Sequence, residues 1–447
     1  MIFAGTRPEF IKLAPIIKHI QEIPQLDLIF IHSGQHFDEG MSEKIIKELD
    51  LPKPVHNFNV GNRSDAQQIA GTLSECESAI RKYEPEMVLA EGDTNTVVAV
   101  ALAAAKAGVP FAHVEAGLRS FDRSMPEEVN RVVADGCSEL CFCPTEISAV
   151  NLCREGILPQ RIRITGNTIV DACQMYLPEA VKKSHILEEL GVKDRFGLVT
   201  VHRKENVDNL EKLSKIVDCV CEVDGINLVF PIHPRTQKQL EKSVMWPRML
   251  RSPKLILCPP LGYLDFLKLL VSSALILTDS GGVQEEALSL GVPCLTLREN
   301  TERPETVIAG GNRLVGTQKE LIKSKVQEIL SKPDRVVTGI ARKNPLGDGK
   351  AGARIVKLCI DYCEGILRVP NDLVDRELVG ASSMIVSPRE QGATVREFSE
   401  QVGVTVTMMY DRAGCPIFPR EDLCLEEGWS LCLLGHRPDL RIAEQIE

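Results

Sequence analysis

LTDSGGVQEEALSLGVPCLTL, residues 277–297, decides the fold. The apolar run leading into it, 274–277, reads as a buried strand, Gly281 and Gly282 as a turn, Gln284-Glu285-Glu286 as the opening of a helix, and 293–297 as a second strand. Strand, glycine turn, helix and strand make half of a doubly wound α/β unit, whose ligands rest beyond the carboxyl ends of the strands. Paired glycines permit φ > 0 and close backbone approach, and the free N–H groups that open a helix can hold a diphosphate. The two carboxylates at the helix start would repel a phosphate brought too near. A ribose with two hydroxyls is the natural partner for one of them, although strand-Ser-Gly-Gly-helix also serves packing alone.

The same alternation recurs upstream. The chain opens with an apolar strand, 1–4, followed by Gly5-Thr6-Arg7-Pro8-Glu9 and an apolar-periodic helix over 10–20. Arg7 and Lys12 lie near the helix end where cations oppose the macrodipole, so they read as partners for a ligand's negative charge. Strands at 28–32, 87–90 and 111–114 each run into polar residues, with Gln35 after the first, Asp93 after the second and Glu115 after the third. Met125-Pro126-Glu127-Glu128 then starts another helix. Carboxylates set just after successive parallel strands converge on one cleft. Singly, Asp93 reads equally as a helix cap, and Glu127 or Glu128 as a complement to a helix dipole. Gathered, like charges raise one another's pKa and cost stability unless they are used.

A second α/β unit follows the link at 165–168. Its strand 197–201 ends at His202-Arg203-Lys204-Glu205-Asn206, and 228–231 ends at His233-Pro234-Arg235. A charged loop, Arg298 to Glu305, closes the strand at 293–297. Residues 344–351, NPLGDGKA, are glycine-rich without P-loop spacing and read as a crossover into a final helix over 353–367. Two nucleotide-fold halves across a cleft, acids on the first and phosphate-binding features on the second, imply a donor sugar bridging them. That is the two-domain architecture of glycosyltransferase-B-type enzymes.

Composition narrows the function classes. A formal net charge of -10 argues against nonspecific nucleic-acid binding, which needs a basic surface. Fifteen cysteines, an odd number, with no signal peptide and no bilayer-spanning apolar run, point to a reducing cytoplasm rather than a disulfide framework or a membrane protein. Cys137, Cys141 and Cys143 come nearest to metal-ligand spacing, but no paired second cluster follows, so core thiols rather than zinc are expected.

GTRPE (5–9), GDTNT (92–96), HVEAGLRS (113–120), MPEEVNR (125–131), GNT (166–168), VHRKEN (201–206), TDSGGVQEEA (278–287), TERPE (301–305) and NPLGDGKA (344–351) resemble, in order, the signatures of the non-hydrolysing UDP-N-acetylglucosamine 2-epimerases. The resemblance covers residues 1 to about 367. It implies interconversion of UDP-N-acetylglucosamine (UDP-GlcNAc) and UDP-N-acetylmannosamine (UDP-ManNAc) by anti elimination of UDP and its re-addition across a 2-acetamidoglucal. Asp93, Glu115 and Glu127 match the family's essential acids, with base and acid unassigned among them. Arg7, Lys12, His202 and the Ser280-Gly281-Gly282 amides would stabilise the leaving diphosphate, Glu286 matches the ribose ligand, and Arg303 is a further nucleotide-pocket candidate. No NAD or other cofactor is implied. Gln35 and His233 match positions that bind an activating second UDP-GlcNAc in some relatives, but the loop diverges at 38–40, which argues against that activation here.

Residues beyond 369 exceed the family's usual length. Pro370 to Arg376 reads as a polar linker, and 383–386, 404–409 and 430–434 alternate at strand period. GATVREF (392–398), GVTVTMMYDRAG (403–414), IFPRED (417–422) and LEEGWSLCLLG (425–435) are similar to the RCK_C, or TrkA-C, regulatory domain, with Gly428-Trp429 standing where that family has Gly-Asp. Such domains pair as dimers and bind small ligands, so the resemblance implies a homodimer and a small-molecule ligand, or an added interface alone.

The expectation is therefore an α/β protein with two Rossmann-like domains facing a cleft and a small α+β C-terminal domain. The divisions expected are 1–168 for the acid-bearing domain, 169–350 for the UDP-binding domain, 351–369 for a returning helix and 376–447 for the RCK_C-like domain. A hydrolysing epimerase, a glycosyltransferase and a sugar-nucleotide sensor are the competing readings. The full acid set with His202 argues against a sensor, and the GTRPE opening argues against a transferase.

Overall fold

The computed structural model describes residues 1–35, 39–61, 63–331, 344–367, 369, 379–387, 390–412, 416–417, 419–420 and 422–436. Short apolar runs form two parallel sheets. The first contains β1 (Ile2–Ala4), β2 (Phe30–His32), β3 (His56–Asn57), β4 (Val88–Glu91), β5 (Phe111–Val114), β6 (Leu140–Cys143) and β7 (Ile162–Ile164), in the order β3-β2-β1-β4-β5-β6-β7. The second contains β8 (Phe196–Thr200), β9 (Asn227–Pro231), β10 (Leu255–Cys258), β11 (Ile276–Thr278), β12 (Cys294–Thr296) and β13 (Asn312–Leu314), in the order β10-β9-β8-β11-β12-β13. Strand order reverses between β1 and β4 in one sheet and between β8 and β11 in the other, and such switch points open the crevices that bind ligands. The expected α/β architecture of two Rossmann-like units is therefore present.

Helices cover the sheets because their apolar faces have nowhere else to go. The helix Arg7–Gln21 buries Phe10, Leu13, Ile16 and Ile17, and it joins one core with the helix Thr168–Lys183 through Ile169, Cys173 and Tyr176. That same core reaches Tyr263, Leu267 and Leu288, which lie on helices of the second sheet's layer. Thr168–Lys183 is thus an apolar joint between the two units. The helix Ala351–Cys363 returns to the first unit, where Gly352 meets the backbone of Pro15 closely enough that a Cβ would stand 3.1 Å away.

Several boundaries differ from the sequence reading. The helix after β11 spans Gly281–Leu290, with Ser280 extended at φ -83° and ψ 129° as its N-cap, so Gly281 and Gly282 form the first turn of the helix instead of a turn before it. Neither glycine adopts positive φ. A first turn tolerates poor helix formers because its N–H groups have no intrahelical acceptors. After β4 the N-cap is Thr94 and not Asp93. The last helix of this part spans Ala351–Cys363 instead of 353–367, ending where Gly365 takes φ 71°.

A third, antiparallel sheet follows, with β14 (Val379–Ile385), β15 (Val404–Tyr410), β16 (Pro416–Ile417) and β17 (Ser430–His436) in the order β14-β17-β15-β16. The helix Val395–Val402, opened by a Thr394/Glu397 capping box, covers it with Phe398 against Met384, Leu431 and Leu433. Arg154 of the first unit donates to the Tyr410 hydroxyl. The linker read at 370–376 lies outside the described residues. Cys141 and Cys143 are buried on β6, and among the described residues no group of three or more His, Cys, Asp or Glu could hold a metal ion. No described helix is long and apolar enough to cross a membrane.

Candidate active site

Both sheets direct their carboxyl ends into one cleft, and the polar residues at those ends meet there. After β1, Thr6 caps the helix Arg7–Gln21, and Glu9 in its first turn accepts the Gly5 and Thr6 N–H groups at 2.5 and 2.7 Å. Glu9 also accepts the Thr94 hydroxyl at 2.5 Å, which ties the β1 and β4 loops together. Burial raises the Glu9 carboxyl to about 7, the three hydrogen bonds opposing it. Arg7 crosses to the second unit and donates to the Leu261 carbonyl at 2.5 Å.

Lys12, one turn further, is buried at the centre of the cleft. Its ammonium pairs with Glu115, with Glu285 at 3.2 Å and with Glu91 at 3.4 Å. The sequence assigned Lys12 to a ligand's charge; here three carboxylates surround it. Burial lowers its pKa, but Glu115, Glu285 and Glu91 more than reverse this. Glu91, buried without a matching cation of its own, is pushed well above the usual carboxylate range.

Glu115 and Asp93 are opposite in character to Glu91. Burial would raise both, yet Lys12 and Arg303 hold Glu115 below the ordinary carboxylate value, and Arg131 with Arg303 and Arg203 does the same for Asp93. Glu115 receives Arg303 Nη2 at 3.1 Å and takes φ 69°, a left-handed backbone conformation unusual for a residue with a side chain. Asp93 pairs with Arg131, and its carbonyl accepts Asn130 Nδ2 at 2.9 Å. Glu127 extends from the first turn of the helix Pro126–Cys137 towards Arg203 of the second unit, 3.7 Å away.

The second unit supplies His202, Ser280, Gly281, Gly282, Glu286 and Arg303. The His202 and Arg203 N–H groups donate to Asp279 at 3.0 Å each, so this buried carboxylate shapes the loop after β8. The His202 imidazole lies 3.4 Å from Asp279 and 5.5 Å, ring centre to ring centre, from His233; desolvation lowers its pKa against the pull of Asp279. An added Cβ on Gly281 would lie 2.8 Å from Arg303 Nη1, whereas one on Gly282 would meet nothing within 4 Å. The first glycine thus admits Arg303, and the second leaves the helix N-terminus open. Glu286 is buried towards Arg7, and burial raises its carboxyl to about 7 with Arg7 opposing.

The two acids read together as a helix opening part company. Glu285, not singled out as a site residue from the sequence, faces the cleft and takes Arg303 Nε at 2.9 Å and Asn167 Nδ2 at 3.0 Å. Their adjacent positions on a helix, about 100° apart, were the available signal. Arg131, Asn167 and Asp279 were likewise visible only inside the motifs MPEEVNR, GNT and TDSGG. Gln35 is engaged with Thr96, whose N–H and hydroxyl donate to it at 3.0 and 2.7 Å, and Asp38 lies outside the described residues.

A sequence profile described as UDP-N-acetylglucosamine 2-epimerase matches residues 18–359. The UDP-N-acetylglucosamine 2-epimerase of Methanocaldococcus jannaschii is 46% identical over 363 residues, 80% of this chain and 97% of the relative. The chain belongs to the UDP-N-acetylglucosamine 2-epimerase family. A crystal structure of the M. jannaschii epimerase in complex with UDP-GlcNAc and UDP superimposes with a TM-score of 0.75, covering 81% of this 2-epimerase family member and 99% of that chain. A Pseudomonas aeruginosa relative, named UDP-2,3-diacetamido-2,3-dideoxy-D-glucuronate 2-epimerase, is 40% identical over 333 residues, 73% of this chain and 91% of the relative. The profile ends before β14, so the third sheet of this 2-epimerase family member stands outside the family match.

Proposed function

We propose that this chain interconverts UDP-GlcNAc and UDP-ManNAc without hydrolysis, as a non-hydrolysing 2-epimerase. The observation that carries this reading is the convergence of Asp93, Glu115 and Glu127 on one side of a cleft opposite His202, Arg303 and the Ser280-led helix. In this assignment residues 1–168 supply the acids, 169–350 hold UDP and 351–369 return to the first domain. Loss of the carbon-2 proton and cleavage of the C1–O bond give the glycal and UDP; return of a proton to the opposite face and of UDP oxygen to C1 gives the epimer.

The side chains divide the work. Asp93 and Glu115, kept ionised by Arg131, Lys12 and Arg303, and Glu127 move protons at the two faces, each transfer worth about 10²- to 10⁴-fold in rate. The open amides of Gly281 and Gly282, with Arg7, His202 and Arg303, take the charge that develops on the leaving diphosphate, a large electrostatic contribution, whereas the Ser280 N–H already donates to Thr278 Oγ1 at 3.0 Å and Lys12 is held by its three carboxylates. Glu286 receives the ribose hydroxyls. Buried charge contacts across the cleft exclude water, which favours re-addition of UDP over hydrolysis.

Incubation with UDP-GlcNAc in deuterated water tests the reading. Deuterium at carbon 2 of an intact UDP-sugar is expected; free ManNAc with UDP would instead indicate hydrolysis, and no exchange would reject the epimerase assignment. The Pseudomonas relative favours a second reading in which the preferred hexose carries further substituents. Turnover of the diacetamido-glucuronate nucleotide at a higher kcat/KM than UDP-GlcNAc would support it.

A further inference from the structure

Glu115 takes a left-handed backbone, φ 69°, that is sterically costly for a residue with a side chain. Something must hold it there. The two residues that flank it at equal distance, His113 and Gly117, are both tied to Asp135. His113 Nδ1 lies 2.7 Å from Asp135 Oδ1, and the Gly117 N–H donates to Asp135 Oδ2 at 3.2 Å. Arg119 donates to the same Oδ2 at 2.7 Å and is fixed in turn by Glu155.

The clamp reaches the other acid as well. His113 Nε2 lies 2.7 Å from the Gly92 carbonyl oxygen, which can only accept, so His113 donates this bond. Gly92, at φ 88°, immediately precedes Asp93. Asn130, on the same helix as Asp135, holds the Asp93 carbonyl. His113 and Asp135 are 0% and 1% exposed, so they are available only for work through their neighbours. A buried carboxylate and imidazole at a strand–helix contact are expensive to desolvate, and apolar residues of similar volume would pack there at lower cost.

We propose that Asp135, with His113, is the positioning pair that sets Glu115 and Asp93 at a fixed separation for proton transfer. The pair acts on two acids through one carboxylate: His113 and Gly117 on either side of Glu115, and Gly92 beside Asp93. It rests on the epimerase reading above.

Full-length protein carrying Asp135→Asn, His113→Phe or both tests it, with active sites counted by UDP-binding calorimetry and kcat expressed per site. Misplacing a reacting group by about 1 Å costs about 10²-fold in rate, so each single variant should lose about 10²-fold in kcat while KM stays within about threefold. The primary isotope effect with carbon-2-deuterated UDP-GlcNAc should rise above that of the wild type. The double variant should fall little further than the worse single one, because both changes break one network. His113→Gln, whose amide can still donate to the Gly92 carbonyl, should recover part of the His113→Phe loss.

A kcat per site within about threefold of wild type in both single variants, or a loss confined to KM with an unchanged isotope effect, overturns the proposal. Should those variants not fold, Gly92→Ala perturbs the same loop without a clash, since its methyl would meet nothing within 4 Å. Wild-type kcat in Gly92→Ala would equally overturn the clamp. Absence of epimerisation by the wild type would reject the functional reading itself, a result distinguishable from wild-type-like variants.

Discussion

Glu127 and Glu128, neighbours on one helix, serve opposite ends: Glu127 is 38% exposed in the cleft facing Arg203, while Glu128 is buried and accepts Ser120 N, Phe121 N and Arg131 Nη1 at 2.9 Å each. Glu127→Gln should therefore lower kcat by about 10²- to 10⁴-fold with little change in melting temperature. Glu128→Gln should destabilise the protein by about 1–3 kcal/mol, since an amide cannot replace every bond a buried carboxylate accepts. Parallel thermal melts and initial rates would separate the two, and a stable but inactive Glu128→Gln would reverse the assignment.

The paired glycines give a second contrast. Gly281→Ala drives a methyl against the Arg303 guanidinium, whereas Gly282→Ala points into open space. The first should impair the unliganded protein, visible as a lowered melting temperature. The second should melt like the wild type and yet weaken UDP binding by about tenfold or more in calorimetry, because each lost 1.4 kcal/mol is a factor of ten. Wild-type UDP affinity in Gly282→Ala would place the diphosphate elsewhere.

Arg303 joins Glu115 of the first unit to Glu285 and Glu302 of the second. Its planar fork serves several carboxylates at once, which a lysine ammonium cannot reproduce. Arg303→Lys should lower kcat/KM by about 10²-fold, the size seen when one buried charge partner is removed. Retention of more than half the wild-type kcat/KM would show that Lys12 alone suffices to hold Glu115.

Glu9 makes stability depend on pH. Its carboxyl rises from 4.5 to about 7 on burial, so the folded state binds the proton more tightly. The stabilisation this gives is fully present below the unfolded value and is lost as pH rises through 7. Over that window the wild type should lose about 3 kcal/mol relative to Glu9→Gln, which cannot titrate. Melting temperatures of the two proteins at about pH 4.5 and about pH 7.5 measure the difference, and parallel shifts in both would refute it.

The third sheet has its own core around Phe398 and Leu431, and the family match ends before it. Deletion of residues after 369 should leave kcat and KM within about threefold, because an independently packed unit contributes little to a distant core. A larger fall in rate would assign the tail a catalytic or regulatory role, and sedimentation of the shortened chain would show whether it also sets the oligomeric state.

What the sequence made legible follows from what is local. Phe111–Val114 is an apolar run interrupted only by His113, and the strand has those bounds. The Gly281 start was misplaced because glycine is a poor helix former, and only the extended Ser280 backbone reveals that the helix has already begun. Glu127 and Glu128 are the same residue type, so only the helix rotation between them decides which faces the cleft. Asp135 is hidden more deeply: it lies eighteen positions from Gly117 in the chain, and nothing near it in sequence announces that it accepts that N–H. The helix Thr168–Lys183, not read as a helix from the sequence, carries Ile169, Cys173 and Tyr176 at helical spacing on its buried face.

The salt links that span the cleft have a further meaning for turnover. Lys12 to Glu285 and Arg303 to Glu115 bridge the two units, so admitting or discharging a nucleotide sugar between them requires these latches to part and take up water. On the proposed elimination route the substrate is split in two and needs such a lock, for the fragments must be kept captive together until they rejoin. The slowest event in the cycle is then expected to be the unlocking of the jaws, with each unsaturated sugar returned to its nucleotide before either can escape.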